Sequence, residues 1–169
     1  MSINVELWSR ISEGRLVELR PTVSSDKTIR RMYLEKGLFN DIFRVRTQKA
    51  EIARFAQLQA DLEVFITSPT IDPNYLFGLT PKTDGVWEIK SKRPKPSIRV
   101  FGFFAKEDTF IATHYIERTG LGGWNSREWK TEIRRALSVW RKLFPAYSPD
   151  NSGEVSTLVT GAIDGKYFK

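Results

Sequence analysis

The chain has 169 residues and carries 27 Lys and Arg against 20 Asp and Glu, a net charge of +7. That length fits one compact unit with additions, the absence of cysteine removes disulfides and thiolate metal sites, and a single histidine cannot build a histidine cluster. A hydrophobic content of 40% is too high for disorder, no stretch approaches the roughly 20 apolar residues that span a bilayer, and the basic balance favours a polyanionic partner; a soluble, cytoplasmic protein with no membrane partner and no cofactor is expected.

Residues 1–45 mix short apolar patterns (Val5, Leu7, Trp8; Leu16, Val17, Leu19) with breakers at Gly14, Pro21 and Gly37. They read as an N-terminal extension in which Asp26 caps a short helix reaching Lys36. From Thr47 to Ile66 the spacing of Ile52, Phe55, Leu58, Leu62, Phe65 and Ile66 is helical, with no internal Gly or Pro, and Ser68-Pro69 ends it. Thr70 to Asp84, with Pro73, Gly78 and Pro81, reads as a surface loop.

The period then changes to two. Trp87 and Ile89 point one way while Glu88, Lys90 and Lys92 point the other, as in a half-buried strand. Ile98–Phe104 and Thr109–Ile116 form two further strands, and the short Ala105-Lys106-Glu107-Asp108 connection makes them an antiparallel hairpin. Gly120-Leu121-Gly122-Gly123 breaks the sheet as a flexible exit. Asn125 or Ser126 caps a last helix running to Leu143, with Trp129, Ile133, Ala136, Leu137, Trp140 and Phe144 as its apolar stripe. Residues 148–169 form a tail in which Val155 to Val159 adds an edge strand or is mobile. The expected fold is α+β: a small twisted antiparallel sheet of three or four strands packed against helices, with residues 46–147 as the core and extensions at both ends.

Five cations, Lys90, Lys92, Arg93, Lys95 and Arg99, fall between positions 90 and 99 with no acid among them. Two readings compete. Lysines and prolines blunt exposed strand edges, whereas cations on neighbouring strands make a phosphate-sized positive surface. Arg99 favours the second, since alternation sets it in a strand with Phe101 and Phe103. His114, beside Phe110, Ala112 and Ile116, reads as a packed structural histidine.

The runs Val86-Trp87-Glu88-Ile89-Lys90, Ser97-Ile98-Arg99-Val100-Phe101-Gly102-Phe103-Phe104, Phe110 to Thr119, and Glu132-Ile133-Arg134-Arg135-Ala136 resemble, in order and spacing, the core of the RelE/HigB superfamily of toxins. The resemblance covers residues 47–143 and implies a RelE-like fold. It also implies a toxin that binds the ribosome and cuts mRNA by attack of a 2′-hydroxyl on the adjacent phosphate without a metal, restrained by a cognate antitoxin. Lys90 matches a catalytic lysine, Arg99 the strand arginine and Arg118 the basic residue closing the last strand. Lys90 is then the base, Arg99 and Arg118 clamp phosphate, and Lys92, Arg93, Lys95 and Trp124 contact RNA, Trp124 by stacking. Glu88 stands where some relatives carry a second lysine, and no tyrosine stands in the final helix. A non-catalytic RNA-binding module, or a gyrase inhibitor of the ParE type, are the alternatives.

Overall fold

The computed structural model describes residues 2–169. Its centre is a six-stranded sheet in the order β1-β2-β6-β5-β4-β3, built from β1 (Leu16–Glu18), β2 (Arg31–Glu35), β3 (Leu76–Gly78), β4 (Val86–Ser91), β5 (Ile98–Lys106) and β6 (Thr109–Glu117). All neighbours run antiparallel except β2 and β6, which are parallel. The sheet is therefore mixed and has six strands, which corrects the reading of a three- or four-stranded antiparallel sheet of RelE-like form. The expected meander is present as β4, β5 and β6, and three further strands extend it on both sides.

Those strands escape a periodicity search for a physical reason. In β2, Met32 and Leu34 enter one apolar core while Tyr33 enters the other. A strand buried on both faces shows no alternation. The helix expected to reach Lys36 is replaced by β2. Helix α2 (Lys36–Phe43) starts where that one was to end, and the Glu35 side chain caps it by accepting from Leu38 N–H at 2.9 Å. The expected loop over 70–84 likewise contains β3, whose Leu76 is fully buried.

Two cores lie on opposite faces. One face is covered by α2 and by α3 (Lys49–Thr67), whose Leu58, Leu62, Phe65 and Ile66 meet Trp87, Ile89, Val100 and Phe104. The other is covered by α1 (Ile3–Ser12) and α4 (Arg127–Leu143), whose Trp129, Ile133, Ala136, Trp140 and Leu143 meet Phe101, Phe103 and Ile111. Ser126 caps α4 by accepting from Trp129 N–H at 3.4 Å. At Gly102 a side chain would collide with the Ile111 carbonyl oxygen and the Phe110 ring, so only glycine permits the irregularity that sets Phe101 opposite His114 and Gly102 opposite Ala112.

The segment 155–159 is neither an edge strand nor loose. It holds a single helical turn, α5 (Val155–Leu158), and Leu158, Val159 and Tyr167 belong to the core beside α3. Residues 2–45 and 148–169, within the segments read as extensions, thus share the sheet and cores of residues 46–147. Among the described residues no helix is long and apolar enough to cross a membrane.

Candidate functional site

Register brings three sequence-nominated residues to one sheet face. Lys90 pairs with Arg99 across β4 and β5, and Glu88, two residues along the same face, sits between Phe77 of β3 and Phe101 of β5. Arg118 follows β6 directly, its backbone N–H donating to Ser97 O at 2.7 Å, so it closes the same corner. These cations converge on Glu88. Arg99 Nε lies 3.4 Å from Glu88 Oε2 and Lys90 Nζ 3.9 Å from Oε1, and Arg118 and Lys169 also act on the carboxylate.

Glu88 is only 3% exposed, and its Oε2 accepts no hydrogen bond. Burial pushes its carboxyl above the usual range, against the pull of Arg99, Lys90, Arg118 and Lys169. Lys90 is held by two contacts: Nζ donates to Pro73 O at 3.3 Å and lies 4.5 Å from the centre of the Phe77 ring. Burial lowers its pKa while Glu88 raises it. Arg99 donates from Nη1 to Ser97 Oγ at 2.6 Å, and Arg118 donates from Nη1 to Gly122 O at 2.8 Å with its guanidinium 5.6 Å above Trp129. The Trp129 indole N–H, next to Phe101 and Arg118, is buried without an acceptor. The corner therefore combines an open acceptor, an open donor and a surplus of positive charge.

Trp124 is at this corner, but neither face is bare. It packs on Trp129 at 5.3 Å and Phe77 at 6.2 Å, and Lys169 Nζ covers the ring at 4.3 Å. Base stacking on Trp124 requires Lys169 to move. Lys92, Arg93 and Lys95 lie elsewhere, on the β4–β5 connection, where with Lys90, Pro94, Gln57 and Asp61 they line an open cavity of about 720 Å³. Lys90 belongs to both places. His114 stacks on Phe101 at 4.8 Å, its Nε2 lies 2.8 Å from Glu132 Oε2 and its Nδ1 3.1 Å from Thr113 Oγ1. It sits on the same α4 face as Glu88, separated from it by the Phe101 ring, in a structural setting.

The residue that sequence reasoning passed over is Glu88. Its placement two positions before Lys90 on one strand face was the available signal. Asp61, Gln57 and Lys169 carried no such signal, because α3 and the last residues meet β4 only through the tertiary fold. Among the described residues no group of three or more His, Asp or Glu could hold a metal ion. Comparison with known proteins finds no matching family model, no matching curated protein and no matching solved structure.

Proposed function

We propose that this chain binds RNA and cleaves it by transesterification, as the resemblance to RelE/HigB toxins implies, with Glu88 rather than Lys90 as the base. The observation that carries the reading is a carboxylate only 3% exposed, one oxygen without a hydrogen bond, acted on by four cations. In the reaction Glu88 takes the proton of a 2′-hydroxyl, and the freed oxygen attacks the adjacent phosphorus. The P–O5′ bond then breaks, leaving a 2′,3′-cyclic phosphate and a 5′-hydroxyl. Arg99 and Arg118 balance the charge that develops on the phosphoryl oxygens. Lys90, whose burial eases loss of a proton, supplies it to the departing 5′-oxygen. The step needs no metal. Lys169 must leave the Trp124 ring before a strand enters, so the contact at 4.3 Å marks the mouth of the site. mRNA on the ribosome as the substrate, and an antitoxin covering this face, belong to the same proposal.

The decisive comparison is Glu88→Gln against Arg99→Ala. Glu88→Gln is expected to lower RNA cleavage at least ~100-fold, the scale of a lost general base, while RNA binding persists. Its melting temperature stays level or rises, because a carboxyl whose folded pKa is raised weakens the fold when ionised. Arg99→Ala weakens both binding and cutting. Full cleavage by Glu88→Gln, with or without chelator, defeats the mechanism. RNA binding without any cut product, even with ribosomes, favours the non-catalytic module, a reading supported by the engagement of Arg99 with Ser97 and Glu88.

A further inference from the structure

The cavity between α3 and the β4–β5 connection has two kinds of wall. One is cationic: Lys92, Arg93 and Lys95 are exposed on the connection, and Lys90 reaches in from β4. The other, one turn apart on α3, is Gln57 and Asp61. Gln57 Nε2 donates to Asp61 Oδ1 at 2.9 Å, and Ser91 Oγ donates to Asp61 Oδ2 at 2.5 Å. Each carboxylate oxygen keeps a second lone pair. Asp61 therefore offers two adjacent acceptors, each already held by one donor, Gln57 at the cavity wall and Ser91 on β4.

The connection is fixed from behind. Arg54, only 3% exposed, donates from Nη1 to the Pro94 carbonyl and to Pro96 O at 3.1 Å, and from Nη2 to Ser91 Oγ. Ser91 thus links Arg54 to Asp61, and one buried guanidinium sets the cationic wall against the acceptor wall. Burying a charge is costly. The cost here secures the relative position of two surfaces that a simple chain reversal would leave free.

We propose that this cavity is a nucleotide subsite that prefers guanine. The cations of the β4–β5 connection hold the phosphate, Asp61 reads the base edge with Gln57 beside it, and Arg54 is the positioning residue. The proposal rests on the RNA reading of the Glu88 corner and names the nucleotide that neighbours the scissile phosphate, since Lys90 lies in both. A volume of about 720 Å³ accommodates a nucleotide. Guanine presents two adjacent donors on its Watson–Crick edge, matching two acceptors. Adenine and cytosine set a donor beside an acceptor, and uracil sets one donor between two acceptors, which a carboxylate repels.

The test uses uncleavable 2′-O-methyl oligonucleotides that differ at one base, with affinity read by fluorescence anisotropy. Wild-type protein is expected to bind the guanine-containing strand about tenfold more tightly, the scale of one bidentate base contact. Asp61→Asn abolishes the preference while affinity for the other strands holds or rises, because an acid has left a cationic cavity. Arg54→Met weakens all strands alike with the fold intact by circular dichroism, and Arg54→Lys restores part of the loss. Equal wild-type affinity for all four bases overturns the proposal without any variant. So does an Asp61→Asn protein that gains affinity equally for every strand and keeps its guanine preference. Because the strands cannot be cut, either result stands apart from the outcome for Glu88: cleavage can persist with the subsite disproved, and a guanine preference can be read in a protein that never cuts.

Discussion

His114 is the only imidazole of the chain, and its surroundings decide its charge. Burial lowers its pKa to about 3, with Arg135 acting in the same direction. The neutral ring donates from Nε2 to Glu132, while Nδ1 lies 3.1 Å from the Thr113 hydroxyl, which donates to Phe101 O. An imidazole that is neutral in the fold and free to protonate in the unfolded chain contributes nothing to pH dependence above its ordinary value of about 6.5. As pH falls from there towards the lowered folded value the unfolded state gains protons first, and stability is lost at up to about 1.4 kcal/mol per unit. The C2 proton resonance of this single residue is therefore expected to stay fixed from pH 8 to 5. A midpoint near the ordinary value would show an exposed, titrating ring. His114→Gln should flatten the acid side of the stability profile, judged against the carboxylates that also titrate there. At this scale the sequence was informative where a residue's own strand determined its surroundings: alternation assigned Arg99 to the face of Phe101 and Phe103, and His114 is packed as read, although the irregularity at Thr113 turns Phe110 and Ala112 into the opposite core and leaves Phe101 and Ile116 beside it. For Glu88 it offered only the spacing to Lys90, because the burial that raises its carboxyl, and the approach of Arg118 and Lys169, come from the tertiary fold.

Helices whose amphipathic period faces a single core were legible at full length, α3 and α4 falling within two residues of their expected limits; β4, β5 and β6, which feed both cores, come as close because Pro94, Pro96 and the short Ala105–Asp108 connection bound their long apolar runs. The elements that were missed are held by contacts no local window contains. Arg30 is the main example. Its guanidinium, fully buried, donates to Phe65 O at 2.7 Å, Ser68 O at 2.8 Å and Thr160 O at 2.6 Å, and lies 3.7 Å from Asp108. One side chain joins the end of α3, the start of β2, the β5–β6 turn and the C-terminal segment. Asp108 continues the link by accepting from Thr160 N–H at 2.8 Å. Arg30→Met keeps the apolar stem but leaves several buried carbonyls without a donor, at a cost of about 3 kcal/mol. The melting temperature is expected to fall by about 10 °C. Hydrogen exchange should show lost protection concentrated in residues 158–168 and around the last turn of α3. Loss spread evenly over the sheet, or none, would contradict this role for Arg30.

Across the whole molecule the surplus of seven positive charges matters less than where it lies. Around Glu88 and along the β4–β5 connection the cations sit towards one side of the sheet. Arg20 and Lys27, equally exposed, lie on the β1–β2 connection at its opposite edge. Single-stranded nucleic acid releases about 0.7 counterion per phosphate neutralised, so the dependence of affinity on salt counts contacts. Replacing Lys92, Arg93 and Lys95 by alanine should make the log–log slope shallower by about 2. Replacing Arg20 and Lys27 by alanine, a loss of two charges instead of three, should leave it unaltered within error. Both sets are solvent-exposed and neither supports a core, so melting temperatures should move little. If the two sets shift the slope in proportion to charge alone, binding is diffuse attraction to a basic protein and the side bearing Glu88 has no special claim. If only the first set shifts it, the polyanion follows the path from the β4–β5 cavity to the Glu88 corner. That path exists because β4 and β5 lie between α3 on one face and α4 on the other, with Lys90 opening onto both.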